Sequence, residues 1–245
     1  MQIDMNAIAD QLTDSPQDQA VLRDVAENHP EVGEILSDLI ERRPHLEPIA
    51  LPLMRLHAAL VRCYDKGGTF FLCGNGGSFA DSLHIVGELL KSFERKRDLT
   101  TEQKAAFAGL PDGEILANQL EQGLRGYTLG NSGPLATAVQ NDIELRDIHF
   151  AQDLYAMGRP GDVVMGISTS GNADNCSYAL QVGKALGLTT VALTGSKANG
   201  GKMGEVADIL IMAPGTVTKL VQEDHFPTYH AICAMIEAHY FPEMR

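Results

Sequence analysis

The stretch Phe70-Phe71-Leu72-Cys73-Gly74-Asn75-Gly76-Gly77-Ser78 decides the fold class. It starts as an apolar run with the length and composition of a β-strand, breaks into a glycine loop and leads directly into a helical pattern. Glycines let the backbone approach a ligand closely, and the first turn of a helix supplies free N–H groups and a positive dipole end. Many strand–helix turns carry glycines for steric reasons alone, so the loop needs a second signal before it indicates an anion site.

That second signal is the loop Ser168-Thr169-Ser170-Gly171-Asn172, which follows the apolar run 162–167. A run that is apolar throughout is typical of a central parallel strand. One hydroxyl is enough to cap a helix, and three in succession before a glycine exceed that need. The carboxyl ends of parallel strands face one crevice in a doubly wound sheet, so we expect both loops to face the same phosphate-bearing ligand.

Alternating strands and helices along the chain predict an α/β fold with a parallel sheet covered on both faces. The predicted strands are 69–73, 127–129, 162–167, 189–194 and 208–212. The predicted helices are 31–40, 49–63, 79–93, 100–108, 114–124, 135–140, 148–157, a helix ending near 186, 202–206 and 218–240.

The N-terminal quarter of the chain shows helical patterns without predicted strands. Residues 1–29 are polar and acidic, with short helical patterns at 8–12 and 19–25, so this arm is either mobile or, as the spacing favours, helical. The helices at 31–40 and 49–63 carry more apolar residues than one sheet face requires. Such faces often bury against copies of themselves, and we interpret them as an oligomer interface.

Composition excludes several classes of protein. The chain has 245 residues, 44% of them apolar and 21% charged, as in a soluble globular protein. No apolar stretch reaches the roughly 20 residues of a membrane span, and the first ten residues lack a signal-peptide pattern. A net charge of −13 argues against a nucleic-acid partner. Four widely spaced cysteines without a CxxC pair predict free thiols and a cytoplasmic location.

His84 and Glu88 lie four residues apart on the helix that follows the glycine loop, so they share a face. In isolation such a pair is best explained as a surface ion pair or a core histidine. Here the neighbours Leu83, Val86 and Leu90 are predicted to face the core, and the pair lies two turns beyond a phosphate loop. Glu88 is thus expected to reach the carbon chain of a bound phosphosugar.

The last helix offers Gln222 and His230, which are eight residues apart and therefore point in similar directions. His225 and His239 on the same helix are better explained as packed histidines. Together, His84, Glu88, Gln222 and His230 could bind one divalent ion, and imidazoles with a carboxylate suit zinc. Pro227 removes one backbone donor, so a bend is expected there.

These segments, taken together and in this order, resemble the phosphoheptose isomerases of the sugar isomerase (SIS) domain proteins. The resemblance spans about 31–240. The motifs that carry it are 73–78, His84 and Glu88, 166–172, 193–195, 200–203, and 222–225 with His230.

The resemblance implies a three-layer SIS sandwich around a five-stranded parallel sheet. It implies a single SIS domain over 1–245, in which 1–66 form a helical arm and interface helices and 98–126 form an insertion. It also implies a homotetramer with active sites between subunits. The implied reaction converts sedoheptulose 7-phosphate to D-glycero-D-manno-heptose 7-phosphate, a precursor of heptose in lipopolysaccharide.

The resemblance also assigns roles to single residues. Glu88 and His230 are the expected acid/base pair, acting through an enediol, which suits the proton transfer that aldose–ketose isomerisation requires. Zinc is expected at His84, Glu88, Gln222 and His230. The expected substrate-binding residues are Asn75, Gly76, Gly77, Ser78, Asp142, Ser168, Thr169, Ser170 and Gln222.

Several departures from the family pattern leave the exact sugar open. Ala173 stands where the family has a phosphate-binding serine, and Lys219 where it has a substrate-contacting aspartate. Pro227 and the longer segment 98–126 are further departures. The alternative is a non-catalytic SIS-domain binding protein of the DnaA initiator-associating type, whose C-terminal tail resembles Phe241-Pro242. That protein lacks counterparts of Glu88 and His230. A sugar-phosphate-sensing regulator is a third hypothesis.

Overall fold

The computed structural model describes residues 3–242. Its centre is a five-stranded, all-parallel sheet in the order β2-β1-β3-β4-β5, which confirms the predicted fold class. The strands lie within about two residues of their predicted positions: β1 Phe70–Gly74, β2 Gly126–Thr128, β3 Val163–Ser168, β4 Thr189–Gly195 and β5 Ile209–Ala213.

Alternate side chains of each central strand enter two different cores. Leu72, Met165 and Leu193 point to one face of the sheet, whereas Cys73 and Val164 point to the other. β1 and β3 are buried along their whole length because helices cover both faces. The helices are α1 Met5–Asp10, α2 Pro16–Asn28, α3 Pro30–Arg42, α4 Ala50–Tyr64, α5 Gly77–Leu90, α6 Thr101–Ala105, α7 Gly113–Gln119, α8 Gly133–Asp142, α9 His149–Met157, α10 Asp174–Leu186, α11 Gly201–Val206 and α12 Thr218–Tyr240.

The N-terminal arm is helical, as the spacing favoured. Asp4 caps α1, and Ser15 caps α2, which starts with a proline at its first position. Leu22 and Val25 are fully buried in the same core as the sheet. Asp18 of α2 forms an ion pair with Arg62 of α4.

The apolar residues of α3 and α4 pack against other parts of the same chain. Their number is therefore no sign of an oligomer interface, which corrects the interpretation of the sequence pattern. Val32, Leu36, Leu53 and Leu60 are buried against other parts of the same chain, and α3 packs along α12. The sequence pattern counted only a sheet as the partner of these helices, whereas α2 and α12 cover them as well. The homotetramer therefore stays a prediction without support from these two helices.

The buried face of α5 agrees with the prediction at Val86, which packs against the core, and differs from it at Leu83 and Leu90. Leu83 and Leu90 are 39% and 53% exposed, whereas Ser82, Ile85 and Leu89 are buried. Apart from the face of Asp81, His84 and Glu88, α5 carries apolar residues on several sides, so periodicity could not identify its inner face. Small serines on that inner side let α5 lie close to its neighbours β1, β2 and α12.

Segment 98–126 forms shorter helices than predicted. After α7 the chain is extended, and the N–H of Leu124 donates to the carbonyl of Leu89 at 2.9 Å, at the end of α5. A side chain at Gly123 would lie 2.7 Å from the carbonyl oxygen of Leu90, so the two segments pack main chain to main chain. Helical structure ends there because these backbone groups bond to α5 instead.

The last helix, α12, is continuous from Thr218 to Tyr240 and includes Pro227. The bend expected at this proline stays a prediction. Across residues 3–242, no helix combines the length and the apolar character that a bilayer crossing requires.

Candidate active site

The two glycine-containing loops lie side by side. β1 pairs with β3 so that Gly74 is opposite Ile167, and the loops begin directly after these residues. From this central pair the sheet extends to β2 on one side and to β4 on the other. The order in which strands are added to the sheet therefore reverses between β1 and β3. This reversal is the topological switch point at which open α/β sheets bind ligands.

Two consecutive glycines shape the first loop. Gly76 has φ +55° and ψ −118°, a conformation that residues with side chains avoid. At Gly77 a Cβ atom would lie 2.4 Å from Nε2 of Gln222. The side chain of Gln222 on α12 therefore lies directly against the start of α5, because Gly77 leaves room for it.

A cavity of about 410 Å³ lies between the loops, and we call it the cradle. Seven of the predicted substrate-binding residues line it: Asn75, Gly77, Ser78, Ser168, Thr169, Ser170 and Gln222. Ile167, Asn172, Ala173 and Thr218 complete the lining. Gly76 is the N-cap of α5 just behind this lining. Among the described residues, neither arginine nor lysine lines the cradle.

Three helices begin at the cradle: α5 at Gly77, α10 at Asp174 just after Ala173, and α12 at Thr218. None of the three has a side-chain hydrogen bond capping its N-terminus. Ser78 and Cys176 already donate their N–H groups to Asn75 and Asn175, which leaves the N–H groups of the first helical residues, such as Gly77 and Asp174, for an anion. The three helix dipoles favour negative charge there. Hydroxyls and main-chain amides can hold a phosphate without a cationic side chain.

Asn175 is a residue of the site that sequence reasoning missed. Its Nδ2 donates to Oδ1 of Asn75 and its Oδ1 accepts from Nδ2 of Asn75, both at 2.8 Å. Its Oδ1 also accepts from the N–H of Cys176 at 2.9 Å. This amide pair ties the first loop to the first turn of α10. No local pattern signals a contact between residues 100 positions apart.

His84, Glu88 and His230 converge two turns beyond the cradle. His84 Nε2 lies 3.0 Å from Oε1 of Glu88 and 3.5 Å from Nε2 of His230. α5 and α12 pack together, with Gln222 against Gly77 at one level and His230 against His84 further along. Both helices thus start at the cradle and carry the three side chains to one place.

Neighbouring aromatic residues orient this cluster. The Tyr229 hydroxyl lies 3.2 Å from Nδ1 of His84 and 3.3 Å from Oδ1 of Asp81, so Nε2 of His84 faces Glu88 and His230. The ring of Phe226 lies 4.2 Å from that of His230. Burial and, to a lesser extent, the nearby charge of His84 lower the pKa of His230, although Glu88 opposes the shift. Burial also raises the pKa of Asp81.

The cluster fits a metal ion. One ligand atom from each of His84, Glu88 and His230 lies within 4.8 Å of the other two, and within residues 3–242 no other group of histidine, cysteine, aspartate and glutamate side chains meets this condition. Two imidazoles and a carboxylate are ligands that zinc prefers. Gln222, the fourth predicted ligand, has its amide beside Gly77, and its role at a metal stays a prediction.

The remaining predicted residues lie outside the cradle. Asp142 is exposed at the end of α8, where its carboxylate accepts from Nδ2 of Asn141 at 2.7 Å, and its substrate contact stays a prediction. His225 is buried, as expected for a packed histidine, and burial lowers its pKa to about 4.

Known proteins share sequence similarity with this chain, although no protein-family model matches it. A probable phosphoheptose isomerase from Thermoplasma volcanium is 36% identical over 181 residues, which are 74% of this chain and 79% of that protein. A phosphoheptose isomerase from a Roseiflexus species is 31% identical over 212 residues, which are 86% of this chain and 94% of that protein.

Solved structures give the same result. The phosphoheptose isomerase of Neisseria gonorrhoeae superimposes with a TM-score of 0.61 at 28% identity and covers 84% of this chain and 97% of its own. The phosphoheptose isomerase of Francisella tularensis, at 24% identity, shares the fold with a TM-score of 0.65 over 84% of this chain and 96% of its own.

Fold, site and relatives together define the class of protein, which is an SIS-domain enzyme that isomerises a phosphosugar. Within that class, the chain belongs to the phosphoheptose isomerase family.

Proposed function

We propose that this enzyme converts sedoheptulose 7-phosphate to D-glycero-D-manno-heptose 7-phosphate, with Glu88 and His230 as the acid/base pair. The observation that carries the proposal is the convergence of the two side chains two turns beyond the cradle. A phosphate in the cradle would leave the sugar chain extending along α5 and α12 toward them.

The proposed reaction has two steps, and each step combines two proton transfers. The Glu88 carboxylate removes a proton from C1 of the ketose as His230 donates one to the oxygen on C2, which gives the enediol. Glu88 then returns its proton to C2, and His230 takes the proton of the C1 hydroxyl to leave the aldehyde. The lowered pKa of His230 keeps its imidazole neutral near pH 7, so the proton donated in the first step leaves an imidazolate, which regains a proton from the C1 hydroxyl in the second.

The spacing of the site favours a long sugar. Residues 222 and 230 of α12 are separated by about 12 Å along the helix axis at 1.5 Å per residue. With about 1.2 Å gained per bond in an extended chain, phosphorus and C1 of a seven-carbon 7-phosphate lie about 10 Å apart, against about 7 Å for a five-carbon sugar. The longer chain matches the separation better.

Zinc is part of the proposal, held by His84, Glu88 and His230 with Gln222 as fourth ligand. When bound, it would polarise the oxygens on C1 and C2 and so stabilise the charge of the enediol. The residues of the chain itself bind the phosphate, orient the sugar and move the protons.

We further propose a homotetramer with active sites between subunits, working in the cytoplasm on the route to lipopolysaccharide heptose. Exposed Leu83 and Leu90 on α5 support an additional protein contact beside the site, because exposed apolar patches commonly mark interfaces. Four buried, unpaired cysteines support a reducing compartment.

Incubating the purified protein with sedoheptulose 7-phosphate, with and without zinc, and following aldose formation tests the proposal. Glu88→Gln should lower kcat by about 10²- to 10⁴-fold, the usual contribution of a general base, while the sugar phosphate still binds. The matched control is Glu205→Gln, at an exposed position on α11. Binding without turnover in the unmodified enzyme would favour the non-catalytic alternative.

A further inference from the structure

A buried ion pair joins α5 to α12 just beyond the reacting groups. Nε of Arg97 donates to Oε1 of Glu237 at 2.7 Å, and both side chains are inaccessible to solvent. Glu237 lies seven residues, or about two turns, beyond His230 on α12. In the sequence, Arg97 is one of several basic residues that follow α5.

The guanidinium of Arg97 holds the end of α5, the helix that carries Glu88. Its Nη2 donates to the main-chain carbonyl of Glu88 at 3.0 Å, and its Nη1 donates to that of Leu89 at 2.7 Å. The last carbonyls of a helix have no partner within the helix, and α5 ends without a glycine cap. Arg97 therefore restrains the backbone of Glu88 itself.

The carboxylate of Glu237 organises the segment between α5 and Arg97. It accepts hydrogen bonds from the N–H groups of Phe93, Glu94 and Arg95 at 2.9, 2.8 and 3.1 Å. The ring of Phe93 in turn lies 5.3 Å from that of His230. One network thus connects the backbone of Glu88, a ring that contacts His230, and the helix that carries His230.

We propose that Arg97 and Glu237 are positioning residues for the isomerisation and set the Glu88 carboxylate against His230. This inference rests on the proposed acid/base roles of those two residues. A buried ion pair adds little net stability compared with apolar residues of similar size, so stability alone does not account for it. Fixed geometry is the stronger explanation, because small misplacements of reacting groups cost large factors in rate.

Arg97→Lys is the most direct test. Lysine keeps the charge beside Glu237 but lacks the planar fork that reaches two carbonyls. We expect kcat per folded enzyme to fall about 10- to 100-fold with KM changed less than about twofold, since misplacement acts on the chemical step. The matched control is Arg62→Lys. The partner of Arg62 is Asp18, which is buried in the N-terminal arm and distant in sequence from Arg97 and Glu237. This control substitution should lower the melting temperature without lowering kcat.

Glu237→Gln is the second variant, because it keeps the shape and removes the charge. A merely structural role predicts a lower melting temperature with normal kcat per folded enzyme in both variants, and that result would overturn the proposal. Failure of both variants to fold would overturn it too, since the pair would then be a requirement of folding.

A crystal structure of Arg97→Lys separates this proposal from the proposed function. The proposal expects the Glu88 carboxylate to move relative to the His230 imidazole, whether or not the unmodified enzyme turns over the seven-carbon sugar. An unchanged Glu88 in that structure would refute positioning. Absence of turnover in the unmodified enzyme would refute the proposed reaction alone.

Discussion

At the residue scale, a single methyl group at Gly77 should decide whether the cradle works. Gln222 occupies the space that a side chain at Gly77 would need, whereas Gly87 on the same helix has open space around it. Alanine can therefore be introduced on the same helix once where Gln222 fills the space, at Gly77, and once where the space is empty, at Gly87.

We expect Gly77→Ala to raise KM for the phosphosugar at least about tenfold, because Gln222 must leave the cradle and a lost polar contact costs on the order of 1.4 kcal/mol or more. Gly87→Ala should keep KM and stabilise the protein by about 0.5–1 kcal/mol, the usual gain within a helix. Steady-state kinetics and urea unfolding measure both. Equal KM values for the two variants would contradict this account of Gln222.

The amide pair between Asn75 and Asn175 gives a second prediction at this scale. Asn175→Ala leaves the side chain of Asn75 without either of its 2.8 Å partners, so the first loop loses its link to α10. We expect a several-fold rise in KM, and Asn75→Ala combined with Asn175→Ala should cost little more than one change alone, because contacting residues are coupled. Fully additive effects in this double-mutant cycle would show that the pair is not a unit.

At the element scale, the N-terminal arm should be sensitive to acid. His29, at the junction of α2 and α3, stacks on His239 of α12 at 4.1 Å, and His57 of α4 lies edge-on to His239 at 5.4 Å. Burial, then the charge of His239, lowers the pKa of His57 to about 3, while burial, then the charge of His29, lowers that of His239 to about 4. Asp24 and Asp65 oppose the shift at His239.

Because the folded state binds protons less readily than the unfolded state, the free energy of unfolding should be constant above about pH 7 and fall between pH 6.5 and 4. Urea unfolding at pH 7.5 and 5.5 measures this decrease. His57→Leu removes one of the buried histidines whose pKa is lowered, which include His239 and His225, and should make the decrease shallower. An identical pH dependence in His57→Leu would mean that other groups cause it.

At the scale of the whole molecule, the fold leaves apolar residues exposed on α5 and on segment 98–126, as well as on α9 and around the start of α12. Ile115 is 64% exposed, and Leu110, Leu116 and Leu120 of the same segment are exposed as well. The extended chain after α7 brings this segment to the end of α5, near Leu90. A patch of this kind is a better candidate for a subunit contact than α3 and α4, whose apolar residues are buried.

We expect the enzyme to elute with about four times the 26.4 kDa mass of one chain when measured by light scattering. Ile115→Glu should reduce that mass, because a buried charge without a partner strongly disfavours association. Glu114→Gln, at an exposed neighbouring position, is the control and should keep the mass of the unmodified protein. An unchanged mass for Ile115→Glu would exclude this surface from the subunit contact.

The sequence by itself determined the architecture and most of the cradle. Parallel strands are continuous apolar runs bounded by loops, and a phosphate loop is local in sequence, so both are visible without coordinates. For the same reason, the shared helix face of His84 and Glu88 could be predicted from their spacing.

Only the tertiary structure decided what depends on distant segments. The convergence of His230 with Glu88, the Asn75–Asn175 pair and the burial of Arg97 against Glu237 each join residues about 100 or more positions apart. The inner face of α5 was predicted wrongly at Leu83 and Leu90 because this helix has apolar residues on several sides, and only its neighbours select the side that is buried. Periodicity reports the shape of one element, whereas contacts between elements depend on how all of them pack.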